Sequence, residues 1–594
     1  MSSRIILRDA FKGYTLDQDK AVSPQETVAR FKARLREVTL DLLERTVRID
    51  TGRLGIPVYF SLCGKDALEV IGTKKQMGKG STPEQAEASA VMELAERFSF
   101  FTFAKDPGNF VVEEYRNLQE QAIPFEMIAR SVHDETEEAQ AVKEIFSRLP
   151  LKWARAHNLT EGKEVLVPFD WFYAINEFNG PSAGNGVEEA LLQGVCEVVE
   201  RHVCSLVSRN ALQTPSISPD FVTDPVALEL MGKYKSAGVR LFINDFSLDT
   251  GIPTVAVLAY DPSTFPQRSE IVWTAGTTPN PHKALIRALT EVAQLAGDFS
   301  TSSRYVASGL PKLKDIKDAE FVMTQAATTR IGDLPDLSHP NMRVEVERCV
   351  EALARRGLTV LAVDVTHPTL GIPAFYTIIP GAHFRERAAG TSVAMFTARL
   401  IAEGGDPSRA ISLLEEMNRP LPNKYFVMFF LGVAHLSLQD PTGALPFFQK
   451  ALECDPKEED IASIYSYMGL CLKDLERYRE ALGALGKAEA FDRERTDIHN
   501  LMGFCHYKLK EHEKAILCFK KVLELNPASA IDYANIASNY RDMGNRDQAM
   551  AYYRLALELD PTIEFARDNL MKLEGAKELL FQVTDSIMPP SSGR

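Results

Sequence analysis

The chain of 594 residues lacks long apolar runs, closely paired cysteines and an excess of positive charge. The longest apolar stretch, residues 426–438, is shorter than the roughly 20 residues that a membrane-spanning helix needs. The eight cysteines include no Cys-x-x-Cys pair, so the sequence indicates neither a zinc site nor a disulfide framework. A net charge of −14 disfavours nucleic acid or an anionic membrane as the main partner.

The N-terminal residues 1–11 interrupt short apolar runs with Arg4, Arg8 and Asp9, and they show no secretory signal pattern. The lack of a signal pattern and of closely paired cysteines predicts a cytoplasmic protein. The negative net charge predicts that the protein contacts neither membrane nor nucleic acid. The length exceeds what one hydrophobic core usually supports, so we expect two or three domains.

The last third of the chain contains an internal repeat. Gly432, Gly469, Gly503 and Ala537 follow one another at spacings of 37, 34 and 34 residues. Residues 501–527, LMGFCHYKLKEHEKAILCFKKVLELNP, resemble a tetratricopeptide repeat, in which two helices approach at a small residue. We therefore expect a linker at 391–404, an all-α tetratricopeptide solenoid at 405–578 and a disordered tail at 579–594.

The first 390 residues show a different pattern, in which β-branched and aromatic runs alternate with helical segments. Near the start, Ser23, Pro24 and Glu26 form a capping box that predicts a helix. This pattern predicts a mixed α and β domain over 1–390, with strand-like runs at 58–62, 165–175, 253–260, 271–275, 359–365 and 375–379.

One charged motif occurs twice in this region. Both copies read Glu-x-x-Glu-Arg, and at helical spacing that motif places its two carboxylates and its guanidinium on one face. The predicted helix that carries the second copy also has Glu189 and Gln193 on its polar face. A third predicted helix carries Arg287 and Glu291 opposite an apolar face. The two copies are Glu93, Glu96, Arg97 and Glu197, Glu200, Arg201.

Converging carboxylates need cations, because two charges about 4 Å apart repel by roughly 4 kcal/mol at an effective dielectric of 20. Mg²⁺ accepts one or two carboxylates together with phosphate oxygens, and arginines can hold the remaining phosphate charge. The pattern thus suggests a site for a magnesium nucleotide. The alternative is that each polar stripe is an ordinary solvated helix face.

Two glycine-rich segments invite comparison with phosphate-binding loops. Gly72 and Gly78-Lys79-Gly80 are separated by five residues instead of four, and Gly80 stands where a Walker loop needs serine or threonine. We reject this match. The glycine-rich segment 179–186 is a candidate anion-binding loop only because it directly precedes the second acidic helix, and a helix N-terminus favours anions.

Three segments in order resemble the signature motifs of the YcaO superfamily. They are GKGSTPEQAEASAVMELAERFSFF at 78–101, NGPSAGNGVEEALLQGVCEVVERHV at 179–203 and HKALIRALTEVAQ at 282–294. The resemblance extends over about residues 12–390 and implies an α+β fold that binds ATP and Mg²⁺ without a Walker loop. We therefore expect an α+β YcaO-type ATP-binding domain followed by the helical solenoid.

The resemblance also implies roles for individual residues. Glu93, Glu96, Glu197 and Glu200 would hold Mg²⁺ and phosphate. The segment KAVSPQETVARF at 20–31 resembles the family's N-terminal nucleotide-contacting segment, although Lys20 could equally be a solvated turn lysine. The full expected nucleotide site is Lys20, Thr27, Ser89, Glu93, Glu96, Arg97, Asn185, Glu189, Gln193, Glu197, Glu200, Arg201, Arg287 and Glu291; the sequence identifies no catalytic base.

The implied reaction is ATP-dependent activation of a peptide or protein backbone amide. Azoline-forming members end in a proline-alternating tail, whereas this chain reads MPPSSGR, so we expect thioamidation or another non-azoline outcome. The solenoid would bind a substrate or a sulfur-delivering or modifying partner protein, and we expect a homodimer. The alternative is a non-catalytic ATP-binding accessory or scaffold protein for a thiolating or methylthiolating enzyme.

Overall fold

The computed structural model describes residues 5–50, 53–134, 136–176, 178–296, 299, 313, 315–324, 327–384, 391–526 and 529–585. The chain divides into two compact units, Met1–Val393 and Ala394–Arg594. Strands occur in the first unit, and the described part of the second unit is helical. The expected combination of a mixed α and β region with a helical repeat region is therefore confirmed. None of the described helices is both long enough and apolar enough to cross a bilayer.

The strands of the first unit form three sheets. One is antiparallel with the order β1-β2-β3, a second has the order β11-β10-β9-β8-β12, and a third has the order β4-β5-β13-β14-β7, with β6 paired to β5. The strands are β1 (Leu43–Arg48), β2 (Val58–Cys63), β3 (Lys75–Lys79), β4 (Phe110–Glu114), β5 (Pro150–Asn158), β6 (Lys163–Pro168), β7 (Pro181–Ala183), β8 (Ser216–Ile217), β9 (Arg240–Asp245), β10 (Thr254–Tyr260), β11 (Val272–Thr277), β12 (Thr328–Thr329), β13 (Leu361–Asp364) and β14 (Ala374–Ile378).

The helices between these strands include the three that carry the charged motifs, namely α3, α8 and α10. The helices that begin in the first unit are α1 (Pro24–Glu37), α2 (Lys65–Ile71), α3 (Pro83–Lys105), α4 (Tyr115–Leu118), α5 (Phe125–Arg130), α6 (Glu137–Ser147), α7 (Phe169–Asn176), α8 (Val187–Asn210), α9 (Pro225–Ser236), α10 (Pro281–Ala296), α11 (Glu320–Met323), α12 (Met342–Ala354) and α13 (Val393–Glu403). As predicted, α1 begins at the N-cap Ser23, whose side chain accepts a hydrogen bond from the Glu26 N–H.

Each charged helix packs closely on a strand because a glycine removes the side chain between them. A Cβ on Gly78 of β3 would lie 2.1 Å from the Ala90 nitrogen of α3, and one on Gly276 of β11 would lie 2.4 Å from the Ala284 oxygen of α10. In α8 the glycine is on the helix, since a Cβ on Gly194 would lie 2.4 Å from the Thr377 hydroxyl of β14. These close approaches fix the three helices on their sheets.

The helices of the second unit pair in sequence, α15 with α16 and so on through α22. They are α14 (Pro407–Asn418), α15 (Tyr425–Ser437), α16 (Pro441–Glu453), α17 (Glu458–Asp474), α18 (Tyr478–Phe491), α19 (Thr496–Lys508), α20 (His512–Leu525), α21 (Ala530–Asp542), α22 (Arg546–Leu559) and α23 (Glu564–Asp585). The repeat glycines lie where paired helices touch. A Cβ on Gly503, for example, would lie 2.7 Å from the ring of Phe519, which is 3% exposed.

Several expected details differ from the structure. The run at 165–175 is a strand only to Pro168 and continues as α7, because proline ends the ladder and the following aromatic residues pack as a helix. Helix α13 occupies most of the segment predicted as a linker. Of the predicted disordered tail, 579–585 belong to α23, while 586–594 lie outside the described residues.

Candidate functional site

A cavity of ≈ 570 Å³ lies between α3, α8 and α10. Of the residues predicted from the sequence, all but Glu200 line it. They are Lys20, Thr27, Ser89, Glu93, Glu96, Arg97, Asn185, Glu189, Gln193, Glu197, Arg201, Arg287 and Glu291.

The apolar faces of the helices explain why the charged faces reach this cavity. In α3, Val91 and Leu94 are fully buried and Phe98 is nearly so, in a cluster that also contains Phe31 of α1. With those residues docked on the sheet and on α1, the acidic stripe must face the cavity.

The two Glu-x-x-Glu-Arg motifs adopt the same arrangement. Arg97 lies 3.8 Å from Glu93 and 3.5 Å from Glu96. Arg201 lies 3.7 Å from Glu197 and 3.3 Å from Glu200. In each motif one arginine thus lies near both carboxylates of its own helix and offsets part of their negative charge.

The first motif is electrostatically perturbed. Burial raises the pKa of Glu93, and it raises the pKa of Glu96 well above its ordinary value, with the charge of Glu197 adding to both shifts. Burial alone would lower the pKa of the Arg97 guanidinium. The negative charges of Glu96 and Glu93 together have the larger effect, so the pKa is raised. Perturbed carboxylates of this kind are typical of functional sites. A divalent cation would relieve the repulsion among them.

Glu200 occupies a different place from the other three glutamates. It is 3% exposed, and its Oε2 accepts a hydrogen bond from the Thr277 N–H at 3.2 Å. The same oxygen lies 3.4 Å from Nε of Arg287, and Nη1 of that arginine donates a hydrogen bond to Oε1 of Gln193. The structure therefore places Glu200 behind the two arginines of the cavity wall, where it orients them.

Four other predicted residues of the nucleotide site contact one another through hydrogen bonds and an ion pair. Both side-chain oxygens of Glu189 accept hydrogen bonds, Oε1 from the Asn185 side chain at 3.0 Å and Oε2 from the Ala21 N–H at 2.9 Å. Thr27 donates to Asn185 at 3.2 Å, and Lys20 lies 3.7 Å from Glu189. This group ties the N-terminal segment to the start of α8.

Some residues of the cavity wall were missed by the sequence analysis. Lys79, from the rejected glycine-rich motif, lies at the end of β3 and forms an ion pair with Glu291. Burial, together with the positive charge of Arg287, lowers the pKa of Lys79 to about 7. Asp17 is fully buried, and Phe178 lies beside Arg97, whose guanidinium carbon is 5.5 Å from the ring centroid.

His202, next to Arg201 in α8, has a packing role in the structure. Its Nδ1 accepts a hydrogen bond from the His383 N–H at 2.9 Å, and its ring stacks on that of His383. Burial lowers the pKa of His202 to about 4, with the charge of His133 acting in the same direction.

The donor set fits Mg²⁺ together with a phosphate ligand. Within the described residues, no three acidic, histidine or cysteine side chains converge as a complete metal site. Mg²⁺ commonly binds one or two carboxylates plus phosphate oxygens and waters. Glu93, Glu96 and Glu197 line the cavity and would supply hard oxygen ligands, and Arg201 and Arg287 would supply phosphate-binding charge.

A mixed α and β fold with a buried cage of carboxylates and arginines fits a domain that binds a magnesium nucleotide. Residues 77–383 match the family of YcaO cyclodehydratases, described as ATP- and Mg²⁺-binding. The chain belongs to the YcaO family, and the predictions of ATP and Mg²⁺ as cofactors are confirmed. Residues 397–459, 496–529 and 533–563 match tetratricopeptide repeats, which confirms the second domain type.

Three similar proteins each cover part of the chain. A protein of Methanothermobacter thermautotrophicus, named only as uncharacterized, is 29% identical over 385 residues, which are 61% of this chain and 94% of that protein. The ribosomal protein S12 methylthiotransferase accessory factor YcaO of Escherichia coli is 28% identical over 244 residues, 37% of this chain and 40% of that protein. A heterocyclase solved with substrate and cofactor shares the fold at a TM-score of 0.52 and 21% identity, over 64% of this chain and 55% of that one.

Proposed function

We propose that the chain uses Mg-ATP to phosphorylate a backbone amide of a peptide or protein during post-translational modification. The observation that carries this proposal is the cavity between α3, α8 and α10, whose wall combines carboxylates for a metal with arginines for phosphate. Membership of the YcaO family supports the same reaction class.

The proposed reaction begins with addition of a nucleophile to the carbonyl carbon of the amide. The resulting oxyanion takes the γ-phosphoryl group of ATP, ADP departs, and phosphate then leaves from carbon. An internal thiol or hydroxyl would give an azoline, whereas external sulfide would give a thioamide. We propose thioamidation or another non-azoline outcome.

The chain's own residues contribute positioning and charge. Arg201 and Arg287 face the cavity and are held in place by Glu200, so their guanidinium groups are preorganised for phosphate oxygens. Mg²⁺, when bound, would neutralise charge on the β- and γ-phosphates. Phosphoryl transfer depends mainly on such positioning and charge stabilisation.

The second candidate is a non-catalytic ATP-binding accessory protein for a thiolating or methylthiolating enzyme. Two observations favour it: the name of the E. coli relative and the tetratricopeptide domain, a fold type that offers an extended concave surface for partners. The substrate, the partner protein, the homodimer and the cytoplasmic location stay predictions.

The experiment that separates the two candidates uses the full chain, ATP, Mg²⁺ and the peptides that co-purify with it. We expect Mg-dependent phosphate release, with a peptide mass change that fits oxygen-to-sulfur exchange when sulfide is supplied. Loss of water would instead indicate an azoline. Phosphate release that does not rise with any co-purifying peptide, together with unchanged peptide masses, would favour the accessory role.

A further inference from the structure

We propose that Asp17 is a positioning residue for nucleotide binding, which locks a loop of the N-terminal segment onto the start of α3 and so holds Lys20 at the cavity. This inference rests on the proposed function, because it takes Lys20 as a contact of Mg-ATP. Sequence reasoning assigned no role to Asp17, since a single aspartate in a turn carries no periodic signal.

The loop consists of residues 14–20 and is closed at its base. The backbone groups of Tyr14 and Lys20 exchange two hydrogen bonds, N–H to oxygen at 3.1 Å and 2.9 Å, and the Gly13 N–H adds a third to the Lys20 oxygen at 3.0 Å. Gly13 has no room for a side chain, because a Cβ there would lie 2.4 Å from the Ala21 oxygen. The backbone of Lys20 is therefore fixed by the loop that precedes it.

Asp17 anchors the tip of this loop. Its side chain is fully buried although the neighbouring Leu16 is 52% exposed. Oδ2 accepts hydrogen bonds from the Ser81 N–H at 3.1 Å and the Ser81 hydroxyl at 2.6 Å, and Oδ1 accepts one from the Tyr14 hydroxyl at 2.8 Å. A buried carboxylate needs such partners, so removing it would release the loop from α3.

Burial and the negative charge of Asp17 both raise the pKa of Tyr14, which keeps its phenol protonated as a donor. Ser81 directly precedes Thr82, the N-cap of α3, so Asp17 attaches the loop to the residue just before the helix that carries Glu93 and Glu96. The attachment is thus made at the entry to a site helix.

The same segment also contacts the starts of the other two site helices. Lys283 of α10 donates from Nζ to the Leu16 oxygen at 2.5 Å, and Glu189 of α8 accepts from the Ala21 N–H. Between these attachments, the side chain of Lys20 is 24% exposed at the cavity wall, with Nζ 3.7 Å from Glu189. That separation is too long for a hydrogen bond, so a phosphate oxygen could compete for the ammonium group.

A double-mutant cycle on the full chain tests whether Asp17 acts through Lys20. Mg-ATP affinity is measured by calorimetry for wild type, Asp17→Ala, Lys20→Ala and the double variant. We expect Asp17→Ala to weaken binding about tenfold in the wild-type background and less than about twofold when Lys20 is already alanine. Leu16→Ala, at the exposed neighbouring position, should bind Mg-ATP like wild type.

Asp17→Asn keeps the test informative if the alanine variant fails to fold. An amide oxygen can accept from Ser81 while its N–H donates to the Tyr14 hydroxyl oxygen, so in the same cycle we expect Asp17→Asn to weaken binding only about threefold, and not at all when Lys20 is already alanine. Equal losses from the Asp17 variants with and without Lys20, or wild-type affinity of Asp17→Ala with a lowered melting temperature, would overturn the proposal and leave Asp17 a structural residue. Failure of wild type itself to bind Mg-ATP would instead overturn the proposed function.

Discussion

Nε of Arg287 lies 3.4 Å from Oε2 of Glu200, so an arginine of α10 and a carboxylate of α8 form an ion pair beneath the cavity wall. Glu200 was predicted from the sequence as one of four metal ligands. In the structure its carboxylate is occupied by Arg287, Arg201 and the Thr277 N–H, and it does not line the cavity. Three of the four glutamates thus line the cavity, whereas Glu200 contacts the two arginines, and its predicted role as a metal ligand stays a prediction.

Replacing Glu200 by glutamine should therefore lower ATP affinity without changing the Mg²⁺ requirement. We expect a loss of about tenfold, because the buried arginines lose their charged partner. Glu197→Gln, one helical turn away at the cavity, should instead raise the Mg²⁺ concentration needed for half-maximal binding. ATP binding measured over a series of free Mg²⁺ concentrations checks both. An equal shift of the Mg²⁺ midpoint in the two variants would restore Glu200 as a metal ligand.

Lys79 should contribute to nucleotide binding although its glycine-rich motif is not a phosphate loop. Its side chain lines the cavity, 16% exposed, and pairs with Glu291, so we expect Lys79→Gln to weaken ATP binding about tenfold. Lys75, on the same strand, lies over the ring of Phe60 and does not line the cavity, and Lys75→Gln serves as the matched control. Equal affinities for the two variants, measured by calorimetry, would remove Lys79 from the site.

Mg-ATP affinity should fall with decreasing pH at values where ordinary glutamates are still ionised. The pKa values of Glu93 and Glu96 are raised above the usual 4.5, so both bind protons at a higher pH than exposed glutamates do. Protons then compete with Mg²⁺, which needs the ionised carboxylates. Lys79, whose pKa is about 7, gains positive charge over the same range, so the affinities are measured in Lys79→Gln from about pH 8 down to about pH 5.5, where they should show this loss. Glu96→Gln should show a smaller pH dependence, and an identical profile would contradict the assignment.

The repeat glycines should be intolerant of even one methyl group. In α19 a Cβ on Gly503 would meet the Phe519 ring at 2.7 Å, so Gly503→Ala should destabilise the solenoid by about 1–3 kcal/mol. Gly483 of α18 has no neighbouring atom within 4 Å of such a Cβ. Gly483→Ala should therefore stabilise the solenoid, by up to about 1 kcal/mol, because alanine favours a helix. Urea unfolding of the full chain measures both, and opposite signs are the expected result.

The features that depend on periodicity could be read from the sequence. Glutamates and arginines repeated at helical spacing placed the faces of α3, α8 and α10, and most of the predicted residues line one cavity. The glycine spacing likewise located the repeats, because each glycine meets one large side chain of its partner helix. The run 253–260 was recognisable as a strand because it is short and almost entirely apolar, which matches the burial of every residue of β10.

The features that depend on contacts distant in sequence could not be predicted in this way. Strand β3, KQMGK, has polar residues and glycine where strand propensity is low, so Lys79 was not placed beside Glu291. Asp17 meets Ser81 across 64 residues, a contact that local spacing does not reveal. Glu200 has the same place in its motif as Glu96 has in the first copy, and its position behind the arginines depends on the contact that Arg287 of α10 makes with α8.

The most direct test of the site is the affinity of the full chain for ATP with and without Mg²⁺, in wild type and in Glu93→Ala and Arg201→Ala. We expect wild type to bind ATP only weakly without Mg²⁺ and at least about tenfold more tightly with it. Both variants should lose that Mg-dependent gain while keeping the wild-type melting temperature within a few degrees. Wild-type Mg-ATP affinity in both variants would show that the cavity between α3, α8 and α10 is not the nucleotide site.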